Sequence, residues 1–203
     1  MYFVKTPLLL QRFFSGFIWK IKNDNKEVFL TFDDGPIPVV TEFILDILKR
    51  QQVKATFFCV GENVQKHQAI YNRILQEGHQ TGNHTFNHLN GWKTPLKKYT
   101  ENVLKTQNFV NGKLFRPPYG KITSKQTKLL RQNGFKIVMW TVLSGDFDKN
   151  KSSETCFNNV INNTDSGSIL VFHDNQKSKD KLELILEKTI VALKQKGFRF
   201  ELL

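Results

Sequence analysis

Short runs of apolar and β-branched residues alternate along this chain with longer segments in which apolar residues recur every three or four positions. The short runs are typical of buried parallel strands, and the longer segments are typical of amphipathic helices. The predicted strands cover residues 28–32, 55–61, 79–81, 114–115, 136–141, 168–173 and 198–202. The predicted helices cover residues 40–48, a polar segment that ends near 76, and residues 95–110, 124–132, 154–162 and 181–194.

Strands and helices alternate seven times in this pattern, which predicts βα units and a parallel sheet. Polar residues follow the ends of most of the predicted strands. A barrel gathers all these strand ends on one face, whereas an open doubly wound sheet gathers them only at a switch point. No GxGxxG sequence follows the first strand, so a dinucleotide-binding fold has no support. The pattern favours an α/β fold, namely an irregular, TIM-barrel-like (β/α)7 barrel.

The first 26 residues precede the first strand and carry an apolar pattern of their own. Their apolar side chains recur at helical spacing after Thr6-Pro7, a suitable start for a helix. These side chains are Leu10, Phe13, Phe14, Phe17 and Ile18. We expect them to pack on the closed end of the barrel, which leaves residues 27–203 as the main domain. Basic residues nearby keep a second interpretation open, in which residues 6–19 lie on a membrane surface.

The composition is strongly basic: 30 Lys and Arg residues against 18 Asp and Glu residues leave a net charge of +12. Nucleic acid, an anionic membrane or an acidic polymer could each be attracted to such a surface. The chain contains no run of five basic residues and no nucleic-acid-binding motif, so no nucleic acid partner is expected. The length suits one domain, and we expect a monomer.

The sequence also bears on location. No segment is long and apolar enough to span a membrane. The apolar run near the start is interrupted by Gln11 and Arg12 and lacks a small-residue cleavage site, which makes it a poor secretory signal. These features predict a cytoplasmic or membrane-surface location, with unconventional export as the alternative.

Two adjacent carboxylates end the first predicted strand, where Asp33 and Asp34 follow Phe32 and precede Gly35-Pro36. Side chains alternate faces along a strand, so the two carboxylates should point in different directions. One can then bind a cation while the other acts as a base. Two carboxylates in one pocket also need a compensating cation, because their like charges repel each other. For this dipeptide alone, a solvated Asp-Asp turn is the simpler alternative.

Two histidines four positions apart, His84 and His88, lie in the loop after the third strand. On a helical turn they would share one face. Together with one carboxylate from the first strand, they form a set of three ligands that leaves open positions, as catalytic zinc requires. Cobalt or another divalent ion would also fit this set. The histidine pair alone is weak support, because such spacing is common.

Further polar residues follow the later strands. Arg116 and Tyr119 come after the fourth strand, in a loop that two prolines stiffen. Asp146 follows the fifth strand, where it could orient a histidine, and His173 ends the apolar sixth strand. A surface arginine on a rigid turn and a buried core histidine are the simpler alternatives. The common face of a barrel would bring these residues together.

Five segments in this order resemble the polysaccharide deacetylase family, also called carbohydrate esterase family 4 or the NodB homology domain. The segments are TFDDGP at 31–36, HTFNH at 84–88, RPPY at 116–119, SGDF at 144–147 and VFH at 171–173. The resemblance extends over residues 27–203, which it identifies as a catalytic domain. Leu143 stands where the family usually has aspartate, and Phe147 where it usually has tryptophan. These departures bear on substrate preference and not on the metal site.

The resemblance implies a role for each of the polar residues. The implied metal ligands are Asp34, His84 and His88. The implied catalytic residues are Asp33 as general base, His173 as general acid, Asp146 as the partner that tunes it, Arg116 as the support of Asp33, and Tyr119 through its backbone N–H at the oxyanion.

The implied function is that of a metal-dependent hydrolase that removes acetyl groups from N-acetylated carbohydrate, with O-acetyl esters as a related substrate. Water would attack the acetyl carbonyl while Asp33 accepts its proton and His173 protonates the leaving amine. A metal-free cyclic amide hydrolase of the same superfamily is one alternative, which the intact metal set argues against. A non-catalytic carbohydrate- or polyanion-binding module is the other. It would explain the charge but not the combination of acid, base and metal ligands.

Overall fold

A curled parallel sheet forms the centre of the computed structural model, which describes residues 2–203. Its strands are β1 (Glu27–Asp33), β2 (Thr56–Cys59), β3 (Gln80–Asn83), β4 (Leu114–Phe115), β5 (Lys136–Ile137), β6 (Val142–Leu143), β7 (Ile169–His173) and β8 (Arg199–Phe200). Seven strands run in the order β5-β4-β3-β2-β1-β7-β6, with every neighbouring pair parallel, and β8 pairs with the start of β1. The predicted irregular α/β barrel is thereby confirmed.

Helices surround this sheet. They are α1 (Leu8–Phe13), α2 (Val40–Arg50), α3 (Gly61–Lys66), α4 (Gln68–Gln76), α5 (Leu96–Thr106), α6 (Ser124–Gln132), α7 (Ser153–Ile161) and α8 (Lys179–Gln195). The polar helix predicted to end near residue 76 is two helices, α3 and α4, because His67 leaves the helical conformation at φ −127°. Within residues 2–203, no helix has the length and apolar character that crossing a bilayer requires.

Strand β1 lies in the middle of the sheet, between β2 and β7. Every residue of β1 after Glu27 is buried, which explains why its sequence is almost continuously apolar. Phe32 packs against Phe57 of β2, with 5.1 Å between the ring centroids. The last residue of the strand, Asp33, lies in register with His173 of β7. The core thus delivers two polar side chains to the same end of the sheet.

The predicted strand 136–141 is wrong beyond Ile137, where β5 ends, and β6 begins only at Val142, at the opposite end of the sheet order. In the segment between them, two carbonyl groups accept hydrogen bonds from a side chain instead of a neighbouring strand. The guanidinium of Arg116 donates to the carbonyl oxygens of Met139 (3.0 Å) and Val138 (3.4 Å). The predicted seventh strand, 198–202, is likewise shorter, and it pairs with β1 outside the seven-strand path.

The helix predicted through Ile18 is wrong beyond Phe13, where α1 ends. Of the apolar side chains expected to pack on the barrel, Phe13 is 77% exposed, whereas Leu10, Phe17 and Ile18 pack against buried core residues. Ile18 is extended: its N–H donates to the carbonyl of Ile137 (2.8 Å), and its own carbonyl accepts from Met139. Near residue 5, a second stretch pairs with β6. These bonds to the edges of β5 and β6 replace the helical bonds, so the segment lies along the seam between the two edge strands.

Candidate active site

The carboxyl ends of the strands surround a cavity of about 720 Å³. Most of the site residues predicted from the sequence line it, namely Asp33, Asp34, His84, His88, Tyr119 and His173. The other two are buried behind it, where Arg116 contacts Asp33 and Asp146 contacts His173. The structure therefore brings all the predicted site residues together.

Asp33 ends β1 and is held by a buried arginine. One Nη of Arg116 donates both to Asp33 Oδ1 and to Thr31 Oγ1, each at 2.7 Å. The guanidinium also lies over the ring of Phe58, 4.0 Å from its centroid. Burial lowers the pKa of Arg116, and the charge of Asp33 opposes that shift. A charge this deeply buried is tolerated because it is paired and hydrogen-bonded, and it fixes the Asp33 carboxylate in place.

Asp34 is held in an unusual backbone conformation, with φ 93°. Its carbonyl oxygen accepts from the amide of Asn63 (2.8 Å), and its Oδ2 accepts from the amide of Asn175 (2.6 Å). The N–H of Gly35 donates to Oδ1 of Asp174 (2.8 Å), and a Cβ at Gly35 would lie only 1.7 Å from that carboxylate. Sequence reasoning missed Asn63, Asp174 and Asn175, although Asp174 and Asn175 directly follow His173.

The three predicted metal ligands face one another. Oδ1 of Asp34 lies 3.1 Å from Nε2 of His88 and 3.6 Å from Nε2 of His84, and one ligand atom from each residue lies within 4.8 Å of the others. Oδ1 of Asp34 is buried and has no hydrogen-bond partner among the described residues. An unpaired buried carboxylate oxygen is costly unless a cation lies beside it.

The protonation of His84 supports the same conclusion. Its Nδ1 lies 2.7 Å from the carbonyl oxygen of Arg116, which can only accept, so Nδ1 carries the proton. Burial lowers the pKa of His84 to about 4, so the ring is neutral and Nε2 presents a lone pair to Asp34. Two acceptors that face each other without a proton between them fit a divalent cation. One carboxylate oxygen and two imidazole nitrogens suit zinc in particular.

The loop that carries His84 and His88 is not the helical turn predicted. Thr85 and His88 have positive φ values of 64° and 58°. Side-chain bonds replace the helical ones: Thr85 N–H donates to Asn83 Oδ1 (2.9 Å), and Thr85 Oγ1 accepts from the N–H of Leu89 (3.0 Å). The two imidazole rings still lie 5.0 Å apart, centroid to centroid.

Tyr119 contributes more than the backbone group considered from the sequence. Its hydroxyl lies 3.1 Å from Nδ1 of His88, and the two rings meet edge to face. The phenol therefore orients a proposed metal ligand. The backbone of Tyr119 has φ 61°, a left-handed conformation that a tyrosine rarely adopts. Nothing in the sequence except the rigid RPPY loop indicated this side-chain contact.

His173 is paired with a fully buried carboxylate. Its Nδ1 lies 2.8 Å from Oδ1 of Asp146, and its backbone N–H donates to Oδ2 (2.7 Å). Ser144 Oγ donates to the same carboxylate at 2.9 Å. Burial lowers the pKa of His173, but the charge and hydrogen bond of Asp146 outweigh it and raise the pKa to about 9. The imidazole is therefore cationic at neutral pH and has a proton to donate.

Comparison with known proteins identifies the family. A sequence model of polysaccharide deacetylases matches residues 20–138, more than half of the chain. The chain belongs to the polysaccharide deacetylase family. Members of this family are hydrolases that act on carbon–nitrogen bonds other than peptide bonds, so the chain is an enzyme of that class.

Two relatives from Bacillus cereus, each named a peptidoglycan-N-acetylglucosamine deacetylase, are similar over most of this chain. One is 43% identical over 86% of this chain, which spans 66% of that relative. The other is 34% identical over 92% of this chain and 91% of its own length. The fold also superimposes on the crystal structure of the Bc1960 peptidoglycan N-acetylglucosamine deacetylase with a TM-score of 0.84. That match has 40% identity and covers 93% of this chain and 91% of the other.

Proposed function

We propose that this protein removes acetyl groups from the N-acetylated amino sugars of peptidoglycan. The observation that carries the proposal is the pairing of Asp33 with Arg116 and of His173 with Asp146, beside Asp34 and its two histidines. The names of the Bacillus cereus relatives support peptidoglycan as the polymer. An O-acetyl ester would pass through the same kind of tetrahedral intermediate and is the second substrate class to test.

Asp33 is the general base of the proposed reaction. Arg116 holds one of its oxygens at 2.7 Å, and the carboxylate lines the cavity beside the ligand set. It accepts a proton from the water that attacks the acetyl carbonyl carbon. Such proton transfer typically contributes a factor of about 10²–10⁴ to the rate.

His173 is the general acid. The amide bond breaks only if the departing nitrogen receives a proton, because an unprotonated amine anion is a very poor leaving group. His173 holds that proton at Nε2 because Asp146 binds Nδ1 at 2.8 Å. Acetate and a free amino sugar are the products. The backbone N–H of Tyr119 is the proposed donor to the oxyanion, a contribution of about 3 kcal/mol for a well-placed group.

Asp34, His84 and His88 are the proposed ligands of a divalent cation, with zinc first and cobalt as an alternative. When bound, such an ion polarises the acetyl carbonyl and makes a nearby water more acidic. The chain's own part is to hold these ligands: Asn175 fixes the carboxylate, and the Arg116 carbonyl and the Tyr119 hydroxyl fix the two imidazoles.

Metal removal provides the first test. Purified protein should contain about one divalent ion per chain and should release acetate from peptidoglycan fragments or N-acetylglucosamine oligomers. Chelation should abolish acetate release, and zinc or cobalt should restore it. Full activity of protein shown by elemental analysis to be metal-free would favour a metal-free amide hydrolase. Saccharide binding without any acetate release would favour the non-catalytic binding module.

A further inference from the structure

Tyr2, at the N-terminal end of the described chain, lines the same cavity as Asp33 and His173. Its ring packs on Phe147 with 5.2 Å between centroids and an angle of 54°. Phe147 in turn meets the imidazole of His173 edge to face, at 4.9 Å and 73°. Tyr2 and Phe147 thus form a continuous aromatic wall that ends at the proposed general acid.

The backbone explains why Tyr2 reaches the site. Lys5 forms an antiparallel bridge with Val142 of β6, and the N–H of Leu143 donates to the carbonyl of Val4 (2.8 Å). Because β6 points toward the site and this segment runs against it, residues earlier than Val4 continue toward the site. The segment therefore serves the cavity as well as the sheet edge.

The tip of the Tyr2 side chain is fixed as well. Its hydroxyl donates to Oδ2 of Asp148 (2.9 Å), in the loop that begins at the buried Asp146. Burial and Asp148 raise the pKa of the phenol, so it stays protonated and keeps donating. Gly145, at φ 81°, makes room for this hydroxyl, since a Cβ there would lie 3.0 Å from it. Lys181 anchors the same loop by donating to the carbonyl of Asp146 (3.1 Å).

We propose that Tyr2 is a substrate-positioning residue that, together with Phe147, receives the apolar face of the sugar unit beside His173. This inference rests on the proposed function for the identity of the sugar. The C–H face of a pyranose packs well on aromatic rings, whose faces carry partial negative charge and whose burial removes apolar surface from water.

Replacing Tyr2 should therefore weaken the binding of saccharide without changing the chemical step. Tyr2→Ala should raise KM for an N-acetylglucosamine oligomer about tenfold while kcat stays near the wild-type value, the pattern of a uniform binding contact. The KM for an activated aryl acetate, which has no sugar ring, should not change. Calorimetry should give the same tenfold loss of affinity for the oligomer.

Two matched variants distinguish the loss of a sugar contact from a loss of folded structure. Phe3→Ala removes a neighbouring ring that is 61% exposed and does not line the cavity. Its KM and kcat on both substrates should therefore equal those of the wild type. Tyr2→Phe removes only the bond to Asp148, and it should retain more of the oligomer affinity than Tyr2→Ala. Thermal melting of each variant identifies any loss of fold.

The outcomes are distinct. Unchanged oligomer affinity in Tyr2→Ala, or an equal loss on oligomer and aryl acetate, would overturn the role of Tyr2. Absence of acetate release by the wild type would instead refute the proposed function. In that case, the calorimetric affinities of wild type and Tyr2→Ala for the oligomer would still test whether Tyr2 contacts the sugar. A wild type that does not bind the oligomer at all would also overturn the role of Tyr2.

Discussion

At the scale of single residues, two neighbouring side chains of the site, Asp33 and His173, are paired with partners of opposite charge. Asp33 and His173 lie in register on adjacent strands, yet Asp33 faces the cation Arg116 and His173 faces the anion Asp146. Arg116 holds the Asp33 carboxylate in place by a hydrogen bond, and the carboxylate of Asp146 favours the protonated form of the His173 imidazole. The proposed base and the proposed acid can therefore lie side by side, each held by its own partner.

The first residue-scale prediction separates the base from the acid. Asp33→Asn should retain the metal but lose the proton acceptor, so that hydrolysis slows roughly 10²–10⁴-fold on every substrate. His173→Ala should lose activity mainly on N-acetylated sugar, because an activated aryl ester expels a weakly basic phenolate that hardly needs a proton. Rates on both substrates and elemental analysis of each variant provide the measurement. Equal losses on the two substrates for His173→Ala would show that it is not the general acid.

The second residue-scale prediction concerns the pH dependence of the reaction. Burial lowers the pKa of His173, but Asp146 raises it more strongly, to about 9. His173, the proposed general acid, should therefore remain protonated well above neutral pH. Asp146→Asn removes the negative charge that stabilises the imidazolium, so burial dominates and the pKa of His173 falls. The basic limb of the kcat/KM profile should move to lower pH by about one unit or more. A profile whose basic limb does not move would show that this proton is not the one required.

The site residues were predictable to the extent that they lie in dense, ordered motifs. Asp33-Asp34, the histidine pair and the strand-end His173 each combine reactive side chains with a position at the end of a strand. Asn63 and Asn175 carry no such reactive pattern, and their contacts with Asp34 exist only once α3 and the segment after β7 meet the end of β1. Tyr2 was missed for the same reason, since its partners lie some 146 residues away in sequence.

At the scale of elements, tertiary hydrogen bonding overrode local pattern. The apolar spacing of residues 10–18 is helical, but the open edges of β5 and β6 offer unpaired backbone groups that Ile18 and Val4 satisfy. Unpaired sheet edges are costly and prone to aggregation, so covering them outweighs a few helical bonds. The predicted strand 136–141 ends after Ile137 for a similar reason, because the buried Arg116 donates to the carbonyl groups of Val138 and Met139. Neither the open strand edges nor the buried arginine can be recognised from the local periodicity of the sequence.

The element-scale prediction follows from that seam. Deleting residues 2–19 should expose the edges of β5 and β6 and remove Trp19, whose side chain is buried in the core. Loss of a buried aromatic side chain typically costs about 3–5 kcal/mol, so the melting temperature should fall sharply and the protein should tend to aggregate. Thermal melting and light scattering measure this. A truncated protein with the wild-type melting temperature would mean that the segment only rests on the barrel.

At the scale of the whole molecule, positive charge and exposed apolar surface coincide near the N-terminus. Leu8, Leu9 and Phe13 of α1 are 75%, 67% and 77% exposed, and α1 buries none of its residues. A neighbouring cleft of about 610 Å³ is lined by Phe13, Lys128 and Arg131, among others. Exposed apolar side chains with basic residues near one of them suit an anionic membrane surface better than a neutral one. With a net charge of +12, the whole molecule would be attracted to the same surface.

The last prediction tests membrane contact. The protein should sediment with anionic vesicles, weakly with neutral ones, and less as salt screens the charge. The triple change Leu8→Ser, Leu9→Ser and Phe13→Ser should abolish most of this binding while leaving the melting temperature unchanged, because none of the three side chains is buried. Leu184→Ser is the matched control: this α8 leucine is 68% exposed, and its loss should not alter sedimentation. If the triple variant binds anionic vesicles as well as wild type does, net charge alone attracts the molecule and α1 is not a membrane-contact element.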